Sequence, residues 1–121
     1  MRHLFPMGVV LIITLLWRTA SAQDDRYEFQ IPLQAPPQEM LQRAAQVART
    51  MGARLVAQGD TDAAMYRMFE VPHGQPPATL QRMTVTIPTG LARLEIACRT
   101  FGSGGSAKAF CQEFERRFIG H

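Results

Sequence analysis

The sequence is poor in the residue types that most often build metal sites and nucleotide sites. It contains two cysteines, three histidines and one lysine among its 121 residues. Cys98 and Cys111 do not form a C-x-x-C motif, and no histidine stands at a spacing that would complete a four-ligand zinc site. Lys108 is followed by alanine rather than serine or threonine, so the sequence has no P-loop. We therefore predict no metal ligands and no cofactor.

Residue pairs that support acid–base or nucleophilic catalysis are also scarce. Beyond residue 22, serine occurs only at positions 103 and 106, and neither stands in a nucleophile-elbow pattern. His73 could act as a general base only with an orienting carboxylate. The carboxylates available for this are those of Glu70, Asp60 and Asp62. We predict no catalytic residues, and an enzyme centred on His73 stays as an alternative.

The sequence has no apolar run long enough for a permanent membrane span. The apolar run at 4–17 would extend about 21 Å as a helix, short of the roughly 30 Å of hydrocarbon in a bilayer. It follows a positively charged start and precedes the small-x-small motif of Ala20 and Ala22. We predict a signal peptide over residues 1–22, cleaved before Gln23, and no transmembrane span after cleavage. No cysteine follows the run and no twin arginine precedes it, which favours general export.

Excess positive charge is nearly absent once the signal peptide is removed. The formal net charge is +3, but Arg2 and Arg18 leave with the signal peptide and no acidic residue does. Nucleic-acid-binding domains usually carry a basic patch or stripe. We therefore predict no nucleic-acid partner, and a periplasmic or secreted location for the single domain at 23–121.

Two sequence periodicities divide this domain into seven elements. Strands are predicted at 27–31, 53–58, 64–71, 80–87 and 91–101, and helices at 37–51 and 106–119. The order β-α-β-β-β-β-α predicts an α+β fold, with a five-stranded, mostly antiparallel sheet and two helices on one face. Residues 23–26 are expected to fray, and the turn between the second and third strands is placed at 59–62.

The segment between the two cysteines raises three further interpretations. Residues 102–107 match G-x-G-x-x-A formally, but a dinucleotide site needs a second strand and an acidic residue about 20 positions later. The helix start at this loop could hold a simple anion. The plainer interpretation is that the glycines allow a sharp turn from strand to helix.

The cysteines themselves are best explained as a structural disulfide. Cys98 lies on the inward side of the last predicted strand, and Cys111 lies on the apolar stripe of the last helix. Disulfides persist in exported proteins, and two cysteines allow one pairing. We predict a Cys98–Cys111 bond that fixes the helix to the sheet and stabilises the domain by about 3 kcal/mol.

One face of the predicted sheet is rich in arginine. Strand parity places Arg82, Arg93 and Arg99 on the solvent face, and Arg67 joins them if its strand has the matching parity. Such a face fits an acidic partner, although a solvent-facing antiparallel sheet is polar in any case. The loop at 72–79, with His73, is a second possible contact.

These observations favour a non-enzymatic function. We expect an exported protein-interaction module, such as an envelope accessory, an inhibitor or an immunity-type protein, whose partner is another protein. The alternative is a binder of a small ligand or lipid, which would use a pocket between helix 37–51 and the sheet.

The signal-peptide prediction is testable on the protein recovered from the envelope or medium of its own host. We expect the mature chain to begin at Gln23, because signal peptidase cleaves after Ala22. Mass spectrometry of the intact protein measures this, and a mass that includes Met1 would contradict it.

Overall fold

The computed structural model describes residues 25–73, 79–102 and 105–120, without the side chain of His73. The predicted signal peptide, with Ala20, Ala22 and Gln23, lies outside these residues. The strands are β1 (Asp25–Pro32), β2 (Arg54–Asp60), β3 (Ala64–His73), β4 (Thr79–Pro88) and β5 (Arg93–Gly102). The helices are α1 (Pro37–Thr50) and α2 (Ala107–Ile119). The predicted element order is confirmed.

The five strands form one antiparallel sheet in the order β1-β5-β4-β3-β2. Four of them follow one another as hairpins, whereas β1 pairs with the last strand, β5. The N-terminal strand therefore forms one edge of the sheet. Helix α1 connects β1 to β2, α2 follows β5, and both helices pack on the same face. The predicted α+β fold class is confirmed.

Alternation along the strands separates a buried face from an open one. In β4 and β5, every second residue is buried and its neighbours are half-buried. The buried side chains meet the apolar stripes of both helices in one core. This core includes Ile31, Phe69, Met83, Val85, Leu94, Ile96, Met40, Leu41, Ala44, Phe114 and Phe118. Helix α2 lies over β1 and β5, and α1 lies towards β2 and β3.

The predicted disulfide is confirmed. Cys98 of β5 and Cys111 of α2 are both fully buried, and their sulfur atoms are 2.04 Å apart. The bond therefore links the sheet to the helix layer inside the core. Disulfides are typical of oxidising, extracytoplasmic compartments. Neither helix in the described part of the chain is long and apolar enough to cross a bilayer.

The two helices are joined by a smaller polar contact at their C-terminal ends. Arg117 of α2 donates hydrogen bonds of 3.0 Å to the carbonyl and hydroxyl oxygens of Thr50 on α1. The same guanidinium, together with that of Arg116, donates to Glu113. These hydrogen bonds lower the pKa of Glu113 to about 2. Glu113 therefore keeps its negative charge, and its hold on Arg117, into strongly acidic solution.

Two local expectations were wrong. Asp25 and Arg26 do not fray but belong to β1, where they pair with Thr100 and Arg99. The second turn also lies later than 59–62, because Gly59 and Asp60 belong to β2. Thr61 forms this turn, since its hydroxyl accepts hydrogen bonds from the backbone N–H groups of residues 63 and 64.

The disulfide should carry a measurable share of the stability. We expect the double variant Cys98→Ala/Cys111→Ala to lose about 3 kcal/mol of unfolding free energy, because its unfolded chain is no longer cross-linked. Urea unfolding of the oxidised wild type and the variant measures the difference. Reduction of the wild type is the matched control and should cause a similar loss, whereas an unchanged midpoint after reduction would contradict the prediction.

Candidate interaction face

The sheet face opposite the helices, called the outer face, is not covered by any element within the described ranges. The outward side chains come from alternate positions of each strand. They include Arg26, Glu28, Gln30, Tyr66, Met68, Glu70, Arg82, Thr84, Thr86, Arg93, Glu95, Ala97, Arg99 and Phe101. Both helices pack on the other side of the sheet, so neither of them covers this face.

Five charged residues form one line across the outer face, perpendicular to the strands. Adjacent members are direct cross-strand partners in the order Arg54, Glu70, Arg82, Arg99 and Arg26. We call this line the arginine row. It crosses all five strands, and because neighbouring strands lie about 4.8 Å apart, it extends roughly 19 Å. Four positive charges and one negative charge make it strongly cationic.

Contacts with Glu70 and Phe101 hold the centre of the arginine row. Nε of Arg82 donates to the Glu70 carboxylate at 2.8 Å, and a second nitrogen of the same guanidinium lies 2.7 Å from it. The guanidinium carbons of Arg82 and Arg99 lie 4.9 and 4.7 Å from the centre of the Phe101 ring. A shared aromatic ring therefore positions two guanidinium groups side by side.

This arrangement has an energetic cost within the domain. Like charges directly opposite each other on an antiparallel pair are destabilising, and Arg99 has an arginine opposite it on both neighbouring strands, Arg82 and Arg26. A carboxylate placed over the row would be attracted by all three. Guanidinium groups also match the geometry of carboxylates through paired hydrogen bonds. The row is thus suited to bind anionic groups.

A groove lies beside the arginine row on the outer face. Its volume is about 500 Å³, and its lining combines polar and apolar surface. The outward residues that line it are Glu28, Gln30, Thr84, Thr86, Glu95 and Ala97, and the inward residues Phe29 and Ile96 also border it. Ala97, at the centre of the face, creates this depression because its side chain is short. A bound segment that crosses the row with its carboxylates can continue into the groove with residues that are not acidic, since Glu28 and Glu95 line it.

The structure brings together two of the three arginines predicted for this face. Arg82 and Arg99 are adjacent, whereas Arg93 lies at the other end of β5 and pairs with Glu95 at 2.8 Å. Arg67 does not join them. It stands opposite Val85, on the inward parity, and donates to Asp60 at 2.9 Å.

The sequence alone did not point to three other members of the site. Arg26 was expected to fray, Arg54 was a strand-end residue, and Glu70 was considered only as a catalytic carboxylate. Extending the period-two pattern of β1 by two residues would have placed Arg26 on the outer face. The pairing of β1 with β5 joins residues far apart in sequence, so no local pattern indicated it.

The alternative centred on His73 finds little to support it in the described residues. His73 ends β3 opposite Thr79, and its side chain and residues 74–78 of the adjoining loop lie outside the described residues. Two of the candidate carboxylates are engaged elsewhere, Glu70 with Arg82 and Asp60 with Arg67. The predicted contact at the 72–79 loop stays a prediction.

The predicted pocket between α1 and the sheet is occupied by side chains where the structure describes it. The α1 residues that face the sheet are at most 7 % exposed. They are Met40, Leu41, Ala44, Val47 and Ala48. A second cavity, of about 390 Å³, is lined by α1 residues that include the exposed Arg43 and Gln46. The ligand-binding alternative stays a prediction.

The helix start after the glycine loop already holds an anion from the same chain. The backbone N–H of Ala107 donates to the Asp25 carboxylate at 2.7 Å, and Ser106 caps the helix by accepting from Ala109. Gly105 packs closely beside them. A Cβ atom there would come within 2.5 Å of the Gln81 side chain, so the loop requires glycine at this position.

Comparison with protein families and with curated proteins gives no relative of this chain. No family model matches the sequence, and a search of curated proteins found no match. The arginine row, the groove and the residues around them are therefore the features that indicate a function.

The Asp25 contact gives a prediction about the helix start. Asp25→Ala should lower the unfolding free energy by about 1 kcal/mol, because the N–H of Ala107 loses its acceptor and α2 loses a favourable charge. Thermal unfolding measures the loss. Glu39→Ala is the matched control, because Glu39 lies in the first turn of α1 without a capping hydrogen bond. An equal loss in both variants would contradict a specific role for the Asp25 hydrogen bond.

Proposed function

We propose that this protein is an exported protein-interaction module that binds an acidic segment of a partner protein on its outer face. The observation that carries the proposal is the direct opposition of Arg82 and Arg99 beside a shared Phe101 ring. Internal stability alone does not favour such an arrangement, since like charges that face each other on neighbouring strands repel.

The physical character of the outer face supports a protein segment as the ligand. The arginine row offers charge-assisted hydrogen bonds, Phe101 adds apolar area, and the adjacent groove is lined by polar and apolar groups. Protein interfaces are enriched in arginine and aromatic residues and surround them with a polar rim. An extended segment of about six residues spans the roughly 19 Å of the row, so carboxylates along it can reach several of the arginines.

The open position of the row also favours rapid association. A cationic strip on an otherwise nearly neutral domain attracts acidic partners over a distance comparable to the Debye length, about 8 Å at physiological salt. Binding should therefore weaken as salt concentration rises.

The variant Arg99→Glu separates binding from stability. It converts the row to alternating charges, so we expect loss of acidic-peptide binding by at least about tenfold while the unfolding free energy stays within about 1 kcal/mol of the wild type. The probe is a synthetic peptide of consecutive glutamates, titrated by calorimetry at low and at physiological salt. Thermal unfolding of the same samples measures stability.

Arg49→Glu is the matched control. It changes the net charge equally but lies on the exposed side of α1, away from the outer face. It should bind the peptide as the wild type does. Equal affinity of wild type and Arg99→Glu would overturn the proposal, and so would equal losses in both variants, which would indicate a net-charge effect.

Native mass spectrometry of the protein from its own host tests the same proposal with natural partners. We expect a bound protein that is retained by wild type and Arg49→Glu but lost from Arg99→Glu. A bound molecule of a few hundred daltons that survives Arg99→Glu would favour the ligand-binding alternative instead.

A further inference from the structure

The two edges of the sheet differ in how readily they can accept another strand. The edge strand β2 is interrupted by a register shift between Leu55 and Ala57, and such bulges protect sheet edges from pairing. The other edge strand, β1, pairs with β5 in unbroken register over eight residues. Within the described ranges, no strand pairs with the outer edge of β1. Its alternate backbone N–H and C=O groups are therefore available to a strand from another molecule.

The charges along β1 suit a second copy of the same strand. In an antiparallel pair related by a two-fold axis through Tyr27, Arg26 lies opposite Glu28 of the partner subunit, and the reverse pair forms on the other side of the axis. Both side chains are exposed and lie on the outer face, so the two ion pairs can form together. A register centred on Glu28 would instead oppose two glutamates. A register centred on Phe29 would form no ion pair.

Helix α2 supplies a second and independent match about the same axis. Ala107 lies at Asp25, and the sulfur of Cys111 lies 3.9 Å from the carbonyl oxygen of Tyr27, so α2 runs in the direction of β1. Lys108 lies nine residues, or two and a half helical turns, from Arg117, which contacts α1. Half a turn beyond two full turns places Lys108 on the side of α2 opposite Arg117, and therefore away from α1. This flank of α2 lies above the β1 edge.

Glu115 lies on this same flank, roughly opposite Glu113 around the helix. Lys108 is three residues before Cys111 and Glu115 is four residues after it. A two-fold axis that passes Tyr27 and Cys111 consequently places Lys108 opposite the partner's Glu115. The same two-fold axis therefore forms ion pairs between the two strands and between the two helices.

We infer that this protein forms a symmetric dimer through β1, with antiparallel pairing centred on Tyr27 and with the α2 helices side by side. The two sheets join into one continuous ten-stranded sheet with all helices on one face. Closed two-fold pairing also covers the exposed edge, which limits open-ended strand addition. This inference goes beyond the proposed function and does not depend on it. The dimer places two arginine rows on one surface, each beside the groove of the other copy.

Charge exchange tests the interface. Sedimentation equilibrium of the oxidised full-length mature protein should show a dimer that dissociates on dilution. Glu28→Arg and Arg26→Glu each place like charges opposite each other twice, so each should weaken dimerisation by about tenfold. The double variant Arg26→Glu/Glu28→Arg restores opposite charges and should restore the dimer. Glu39→Arg, on α1, is the matched control and should dimerise as the wild type does.

Engineered cysteines test the register directly. In this register, the Cα atoms of residue 26 and the partner's residue 28 lie about 5 Å apart, within the range of a disulfide. Mixing Arg26→Cys with Glu28→Cys under mild oxidation should give a covalent mixed dimer several-fold faster than either variant alone. Circular dichroism verifies that each variant is folded.

Two results would overturn the inference. The first is a wild type that stays monomeric at every concentration tested. The second is a dimer that the charge reversals do not weaken, or that cross-links most readily through Glu28→Cys alone, since that pairing belongs to the register centred on residue 28.

Discussion

The bond between Cys98 and Cys111 is the constraint on which both faces of this domain depend. Cys98 lies on β5, which is hydrogen-bonded to β1 on one side and β4 on the other, and Cys111 lies at the middle of the inward stripe of α2. The bond fixes α2 over β5 and β1, where the helix closes the core. Because strand residues alternate, directing Cys98 inward also directs Ala97 and Arg99 outward. The position of the helix layer and the composition of the open face are therefore set together.

The open face is unusual because it concentrates like charges instead of alternating them. Arg99 has an arginine on each side, and the structure offsets this repulsion locally, through Glu70 and through the ring of Phe101. A surface selected only for stability would gain from a carboxylate at position 99. The arrangement is readily understood if carboxylates of a partner protein bind to the arginine row, which is the basis of the proposed function. Of the two edge strands, β1 has an unbroken register and β2 does not. Pairing of β1 with a second copy would continue the open face across a symmetric dimer.

The glycine loop after β5 shows why a local pattern can indicate the right chemistry and the wrong ligand. Residues 102–107 indicate a helix start that attracts an anion, and this is what the structure contains. The anion is the Asp25 carboxylate, which β1 brings to the helix start from the other end of the domain. This contact also helps to hold Asp25 in β1, where the sequence suggested fraying. The pairing of β1 with β5 was not visible in either segment alone.

The sequence by itself determined the elements, their order, the inward and outward sides of β4 and β5, and the partners in the disulfide. These follow from short-range periodicity and from the fact that two cysteines allow one pair. Only the tertiary structure decided which outward residues are neighbours. Register between strands depends on how whole strands fit against the core. This fit brought Arg26, Arg54 and Glu70 into line with Arg82 and Arg99, and separated Arg93 and Arg67 from them.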